Sequence, residues 1–206
     1  EEVLKKFVEE YLSVNPSQEV TFGWQGGEPS LAGISFFEKV LHYQKIFSNG
    51  KKVFNTFQTN GVNIDERWVD FLTENGFLVG VSIDGPQNVH DSFRTDVNGK
   101  GSFDRVLRAI ELMRERGTEF NTLTCIHRKN WMKGVEIYRF LKSIGSKYMQ
   151  FIPIVERYTQ SRKDGLTLGT PEDLEGNVTE WSIKPEQWGS FLISVFDEWV
   201  KRDVGN

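Results

Sequence analysis

The sequence predicts an α/β protein in which helices cover a parallel sheet. Short apolar segments of strand length alternate with amphipathic segments of helix length along most of the 206 residues. Glycines stand where a helix would end and the chain would return to a strand, at Gly76, Gly117 and Gly145. Strands that alternate with helices form parallel sheets, and two closures stay open here: a flat doubly wound sheet and a full or partial (β/α) barrel.

The elements follow one another in a regular order. A helix over about residues 1–13 has apolar residues at i, i+3 and i+4 spacings and leads into an apolar strand at 19–24. The elements after it are a helix at about 33–47, a strand at 51–59, a helix at 65–75, a strand at 77–84, a helix at 102–116, a strand at 119–126, a helix at 132–144 and a strand at 147–154. Asp65, Ser102 and Asn130 are the predicted N-caps.

The alternation of predicted strands and helices stops after the fifth strand. Residues 156–184 are polar and rich in Gly, Ser and Thr, which predicts a long loop excursion. A last helix follows, and its apolar residues are expected to pack in a core or against another domain. These residues are Trp188, Leu192, Val195, Phe196 and Trp199.

Composition limits the classes of partner and of site. The net charge is −4 and no block is basic, so nucleic acid is not an expected partner. No apolar run approaches the roughly 18 residues of a membrane span, and the N-terminus lacks a signal-peptide pattern, so no membrane partner is expected. A single cysteine, Cys125, fits a reducing cytoplasm and excludes both an internal disulfide and an all-cysteine metal site within these residues.

Cys125 and two histidines are assigned structural roles. Cys125 lies within a predicted strand and is expected to be a buried structural thiol. No metal-ligand spacing links His42 to His127, so both are expected to lie on the surface or to be satisfied by hydrogen bonds.

Polar and glycine-rich turns follow four of the five predicted strands, and all of them leave the same edge of the sheet. The turns are Gln25-Gly26-Gly27-Glu28-Pro29, Gln58-Thr59-Asn60-Gly61, Ser82-Ile83-Asp84-Gly85-Pro86 and the segment from Phe151 to Glu156. Taken singly, the second and third are ordinary turn chemistry, but a double glycine before Glu-Pro exceeds what one turn needs. Together they indicate a ligand site.

The chemistry of these turns suits a small zwitterionic ligand that carries a ribose. The two glycines of the first turn would let backbone groups meet an ammonium without a Cβ in the way. Ser82 and Arg94 would hold a carboxylate, the latter in a fork geometry that lysine lacks. Backbone edges at Ile154 and Val155 would contact an adenine. An amino acid joined to a nucleoside is the ligand that such a site accepts.

The runs WQGGEPSLAG, QTNG, VSIDGP, HDSFR and YMQFIPIVER closely resemble the radical S-adenosylmethionine (SAM) enzymes. Within that superfamily the chain is most similar to the anaerobic sulfatase-maturating enzymes, or arylsulfatase regulators. The resemblance implies a partial (β/α) barrel of the radical SAM type, with a mostly parallel sheet and outer helices. It also implies domain limits: 1–155 for the barrel core, 156–184 for the excursion, and 185–206 for a last barrel helix that leads toward a cysteine-rich C-terminal domain.

The resemblance further implies a chemistry and its partners. A [4Fe–4S] cluster bound by a CxxxCxxC loop cleaves SAM to a 5′-deoxyadenosyl radical, which abstracts hydrogen from a cysteine or serine of a sulfatase. The product is Cα-formylglycine. The implied partners are a sulfatase polypeptide and an electron donor such as flavodoxin or ferredoxin. Because CxxxCxxC is absent here, the first strand and cluster loop are expected upstream of Glu1, and this chain alone is expected to be inactive.

Site residues carry over by position. The resemblance places Gly26, Gly27 and Glu28 at the amino group of SAM. It places Ser82 and Arg94 at the carboxylate, Val155 at the adenine through its backbone, and Gln25 facing the peptide substrate. Thr59 and Asn60 would lie at the barrel mouth. No catalytic residue or metal ligand is expected within the chain, since the aspartate that accepts a proton would lie beyond Asn206.

Two alternative functions stay open. One is a related radical SAM enzyme that modifies another peptide, with its choice of substrate set by a C-terminal domain and by residues 156–184. The other is a SAM-binding or regulatory protein without catalysis, which the absence of CxxxCxxC from the parent gene would favour. An ordinary barrel hydrolase is disfavoured, because the strand ends lack paired carboxylates and histidine ligands.

Overall fold

The computed structural model describes residues 1–157, 162–163, 166–167 and 178–204. The helices are α1 (Glu2–Val14), α2 (Ile34–Phe47), α3 (Glu66–Glu74), α4 (Gln87–His90), α5 (Phe103–Arg116), α6 (Gly134–Ser143) and α7 (Pro185–Arg202). The strands are β1 (Glu19–Trp24), β2 (Lys52–Thr59), β3 (Leu78–Ser82), β4 (Phe120–Ile126), β5 (Met149–Pro153), β6 (Arg162–Lys163) and β7 (Leu166–Thr167). The alternation expected from the sequence is confirmed.

The main sheet has the strand order β1-β2-β3-β4-β5, and every neighbouring pair is parallel. A doubly wound sheet reverses its strand order at a switch point, whereas the order here follows the chain without a reversal. The sheet curls into a half-barrel with the helices outside, which settles the closure that the sequence pattern left open.

The two faces of the sheet differ in burial because successive side chains point to opposite sides. Val79 and Val81 of β3 are fully buried beneath the helices, while Leu78, Gly80 and Ser82 alternate with them and are partly exposed. The helix-facing side therefore forms the core. The concave inner side stays open.

Aromatic side chains dominate the core between the sheet and helices α2 and α3. Phe37 meets Phe57 edge to face at 5.2 Å between ring centroids and Trp68 at 5.7 Å. Such pairs add about 0.5–1.5 kcal/mol each beyond the area that they bury. A second, smaller cluster lies under β1, and its buried members are Val8, Leu12, Val20 and Phe22.

The three predicted N-caps differ in what their side chains do. The Oδ1 of Asp65 accepts a hydrogen bond from the Trp68 N–H at 3.0 Å, so this N-cap is confirmed. Ser102 and Asn130 do occupy the N-cap positions of α5 and of a short 3₁₀ helix, but neither side chain makes a capping hydrogen bond. Instead, the Ser102 hydroxyl donates to the Arg94 carbonyl, and the Asn130 amide donates to the Cys125 carbonyl. Both side chains stabilise loops at the carboxyl edge of the sheet.

The region after β5 is described in part. Strands β6 and β7 pair antiparallel, and Arg157 bridges Val178, while the rest of the predicted excursion lies outside the described residues. Helix α7 is confirmed, but only Phe191 is fully buried in it, and Trp188 stacks on Phe191 at 5.7 Å. Phe196 and others on the predicted packing face are exposed. Within the described residues, no helix has both the length and the apolarity needed to cross a bilayer.

Candidate functional site

The turn after β1 holds its two glycines in conformations that other residues rarely adopt. The φ angles are 97° at Gly26 and 57° at Gly27, both in the region that favours glycine. A Cβ built on either residue would have no atom within 4 Å. Glycine is therefore required here by backbone conformation, and the space beside the turn is open to a ligand.

Glu28 joins this turn to the end of β2. Its carboxylate accepts hydrogen bonds from the Ser30 N–H at 3.1 Å, the Thr59 hydroxyl at 2.7 Å and the Asn60 N–H at 2.7 Å. Hydrogen bonds to a charged group contribute about 1.5–3 kcal/mol each. These three hydrogen bonds explain the Glu-Pro pair, because the carboxylate fixes the turn before Pro29 begins a short 3₁₀ helix.

Arg94 is held by an aspartate that the sequence analysis placed only in a turn. The Arg94 Nε lies 2.6 Å from Asp84 Oδ2, and its Nη2 lies 3.1 Å from Oδ1. Asp84 is 2% exposed and also accepts a hydrogen bond from the Cys125 N–H at 2.8 Å. Burial opposes the charge on Arg94, but the bonds and charge of Asp84 outweigh it and raise the pKa of Arg94.

A chain of hydrogen bonds fixes the loop that carries Arg94. The Asp84 N–H donates to His90 Nδ1 at 3.2 Å, the His90 Nε2 meets the Ser102 hydroxyl at 3.0 Å, and that hydroxyl donates to the Arg94 carbonyl at 2.8 Å. Burial lowers the pKa of His90 to about 4. The imidazole is therefore neutral near pH 7, with Nδ1 as the acceptor and Nε2–H as the donor.

Cys125 lies beside this ion pair at the inner edge of β4. Its Sγ is 3.5 Å from Arg94 Nη2, and the residue is half-buried rather than buried as predicted. Burial, with the charge of Asp84 added, raises the pKa of the thiol, so it stays protonated near pH 7. Among the described residues, no group of three or more His, Cys, Asp or Glu could hold a metal ion.

The two remaining histidines differ from each other. His42 is exposed, as expected. His127 is 4% exposed, and its Nδ1 accepts from the Lys129 N–H at 3.1 Å, but its Nε2 is buried with no partner in the described part of the chain. The expectation that His127 is fully satisfied was therefore wrong, and burial lowers its pKa.

The end of β5 offers free backbone at Val155. Both backbone groups of Ile154 are used, because its N–H donates to the Ile126 carbonyl at 2.8 Å and its carbonyl accepts from the Ile183 N–H at 2.9 Å. The N–H and carbonyl of Val155 make no hydrogen bond within the described ranges, and the residue is 59% exposed. Of the two residues proposed to contact an adenine, Val155 alone has backbone groups available.

Gln25 and Ser82 lie on the concave side of the sheet. Gln25 lines a cavity of about 480 Å³ on the inner face. Ser82, at the end of β3, accepts a hydrogen bond from Gln58 Nε2 at 3.3 Å. Gln58 was read as part of an ordinary turn; the signal that could have identified it is its position in β2, where residues 54, 56 and 58 point inward.

The structure thus brings the predicted residues to one edge of the half-barrel and joins several of them directly. Glu28, Thr59 and Asn60 form one hydrogen-bonded group. Arg94 belongs to a second group around Asp84. The sequence analysis did not identify Asp84 as the partner of Arg94. In the described part of the chain, the Arg94 side chain bonds to Asp84 and Cys125 and not to Gly26 or Gly27, so their shared role toward one ligand rests on their common edge.

The Radical SAM superfamily profile matches residues 1–141 of the chain. The serine-type anaerobic sulfatase-maturating enzyme of Bacteroides thetaiotaomicron is 42% identical over 206 residues, all of this chain and 50% of that protein. A cysteine-type anaerobic sulfatase-maturating enzyme of Clostridium perfringens is 37% identical over 98% of this chain and 50% of its own length. The chain spans about half the length of the curated relatives that it matches.

Solved structures agree with the sequence matches. The structure of native anSMEcpe with bound AdoMet and Cp18Cys peptide superimposes with a TM-score of 0.86 and 34% identity, covering 99% of this chain and 53% of that one. Streptococcus suis SuiB bound to S-adenosylmethionine, at 15% identity and a TM-score of 0.60, shares the fold. Since the superfamily profile matches more than half of the chain, we conclude that the chain belongs to the radical SAM superfamily.

Proposed function

We propose that this chain is the SAM-binding half-barrel of an anaerobic sulfatase-maturating enzyme. The observation that carries the proposal is the 34% identity, over 99% of the chain, to a structure described with AdoMet and a peptide bound. In the full-length protein the activity would be oxidation of a cysteine or serine of a sulfatase to Cα-formylglycine. The chain alone, at half the length of its relatives, would be inactive.

The residues at the carboxyl edge fit SAM. The open, positive-φ backbone at Gly26 and Gly27 suits the ammonium group, and Glu28 fixes the turn that presents it. The Ser82 hydroxyl and the Arg94 Nη1, which has no partner among the described residues, would hold the carboxylate. The free backbone of Val155 would contact the adenine. With an electron from the reduced cluster of the full-length protein, bound SAM would supply hydrogen abstraction, and these residues would bind and orient it.

The residues of this chain do not fit a [4Fe–4S] cluster. The sequence has a single cysteine, and Cys125 has a raised pKa and lies against Arg94, whereas cluster ligands are thiolates held in groups. We therefore assign no cluster ligand here and propose that the cluster belongs to another part of the full-length protein.

The proposed partners are a sulfatase polypeptide and a one-electron donor, such as flavodoxin or ferredoxin, in the cytoplasm. Gln25 supports the peptide assignment, because it lines the inner-face cavity at the same edge as the SAM residues. The proposed domain limits follow: a barrel core at 1–155, an excursion at 156–184 and a barrel helix from 185.

The test uses the full-length protein, reconstituted anaerobically with iron and sulfide and given SAM, dithionite and a sulfatase-derived peptide that carries either serine or cysteine at the target. We expect 5′-deoxyadenosine by chromatography and a peptide aldehyde that a hydrazide reagent captures. Omission of SAM is the control. 5′-Deoxyadenosine without aldehyde would favour a related enzyme with another peptide, and intact SAM without a cluster would favour a non-catalytic SAM-binding protein.

A further inference from the structure

One side chain on the concave face crosses from its own strand to the predicted ligand site. Gln58 of β2 is the register partner of Gly80 in β3. Its amide reaches across Gly80, and the Nε2 donates to the hydroxyl of Ser82, two residues further along β3. The contact is made on the open inner side, where neither residue contributes to the core.

Gly80 provides the room for this crossing. A Cβ on residue 80 would lie 2.1 Å from Gln58 Oε1 and 3.1 Å from Leu123 Cδ1. The φ angle of Gly80 is not positive, so backbone conformation does not require glycine at this position. Any larger residue would displace the Gln58 amide from its place over the strand.

The direction of the hydrogen bond determines what Ser82 can do. Because the Ser82 oxygen accepts from Gln58, the hydroxyl hydrogen remains to be donated, and in the described part of the chain it has no acceptor. An amide that donates into a hydroxyl also polarises it and strengthens the bond that the hydroxyl then donates. The arrangement prepares Ser82 as a donor to an anion.

We infer that Gln58 is a positioning residue that aims the Ser82 hydroxyl at the carboxylate of the nucleoside–amino acid ligand, with Gly80 as the space that permits it. The inference rests on the proposed function, because that function supplies the ligand. It adds a role for Gln58 that depends on Ser82 and concerns only the amino acid end of the ligand.

The test compares two nucleosides that differ at that end, by calorimetric titration of the full-length protein. S-Adenosylhomocysteine carries the amino acid group, and 5′-methylthioadenosine lacks it. We expect Gln58→Leu to weaken S-adenosylhomocysteine about tenfold, the scale of one hydrogen bond that serves a charged group, and to leave 5′-methylthioadenosine unchanged. Gly80→Ala should give the same pattern without altering either polar side chain.

Two controls separate positioning from a general effect. Gln150→Leu makes the same chemical change in a glutamine that lines the same cavity, and S-adenosylhomocysteine affinity should stay within twofold. In a Ser82→Ala background, Gln58→Leu should cause no further loss, because both variants remove one interaction.

The possible results distinguish the inference from the proposed function. Equal loss of both nucleosides, or no loss of either, would overturn the role of Gln58 while leaving the SAM site in place. Failure of the unaltered protein to bind S-adenosylhomocysteine would overturn the proposed function and this inference with it. Gln58→Leu adds no volume near Gly80, so the result does not depend on whether Gly80→Ala folds.

Discussion

At the scale of single residues, the ion pair of Arg94 and Asp84 combines stability with the predicted ligand contact. The guanidinium uses Nε and Nη2 on a carboxylate that is 2% exposed, so lysine would replace a two-point contact by a single charge. We expect Arg94→Lys to lower the free energy of unfolding by about 2 kcal/mol and to weaken S-adenosylhomocysteine at least tenfold. Denaturant titration and calorimetry of the full-length protein measure the two effects.

The matched control is Arg116→Lys. Arg116 pairs with Asp70 at 3.0 Å on the surface, where both side chains are more than 40% exposed. Exposed pairs contribute little, so we expect a change in the free energy of unfolding of at most about 0.5 kcal/mol and no change in affinity. If Arg94→Lys left the affinity for S-adenosylhomocysteine unaltered, Arg94 would be removed from the proposed site.

A second residue, His90, makes stability depend on pH. Burial lowers its pKa to about 4 in the folded chain, against 6.5 for an unperturbed histidine. Between these values the unfolded chain binds a proton at His90 that the folded chain does not, so the free energy of unfolding falls as the pH is lowered from 6.5 to 4. The full difference is about 3 kcal/mol.

Denaturant titrations at several pH values across this window test the point. His90→Gln retains an acceptor and a donor but does not titrate, so its free energy of unfolding should change less as the pH falls. Equal slopes for the two proteins would show that other groups cause the acid sensitivity.

At the scale of elements, the turn between β1 and α2 can be separated from an ordinary helix end. Gly27 has a φ of 57° and Gly76, which follows α3, has a φ of 63°, and a Cβ on either would meet no atom within 4 Å. We expect Gly27→Ala and Gly76→Ala to cost similar stability, about 1 kcal/mol, because the strain is the same. Only Gly27→Ala should weaken S-adenosylhomocysteine, since Gly76 lies at the opposite edge of the sheet. Equal affinities for both variants would contradict a ligand beside the turn.

The strands and helices also show how much of this fold and site could be predicted from the sequence. Apolar periodicity and glycines at helix ends are local signals, and they located all five main strands and the helices between them except the short α4. The common edge of Gly26, Ser82, Arg94 and Val155 followed from parallel topology alone.

The contacts that were missed depend on tertiary structure. Asp84 meets Arg94 ten residues later across a loop, and Gln58 reaches Ser82 only because β2 and β3 align it over Gly80. Ser102 was read as a cap because caps favour serine, yet tertiary contacts to His90 and the Arg94 carbonyl engage its hydroxyl instead. Pairings of this kind require the path of a loop or the alignment of two strands, which composition and spacing do not specify.

At the scale of the whole molecule, the described residues form two hydrophobic clusters of unequal size. The larger lies beneath β2, β3 and β4, where Val79 and Val81 are fully buried. The smaller joins α1 to β1, and within the described residues β1 has one strand neighbour, β2, whereas β3 has two. The turn that contains Gly26 therefore follows β1, which has fewer strand neighbours. The hydrogen bonds of Glu28 join this turn to the end of β2.

Native-state hydrogen exchange on the 206-residue chain tests this division. We expect amides of β1 and α1 to exchange through a local opening with a smaller free energy than the global unfolding that releases β3, because fewer buried contacts hold the first strand. Leu12→Ala, in the small cluster, should lower protection in α1 and β1 alone. Val81→Ala, in the large cluster, should lower protection everywhere, by about 1–3 kcal/mol. If Leu12→Ala lowered the protection of β3 equally, the chain would unfold as one cooperative unit. The turn after β1 would then be as stable as the rest of the proposed site.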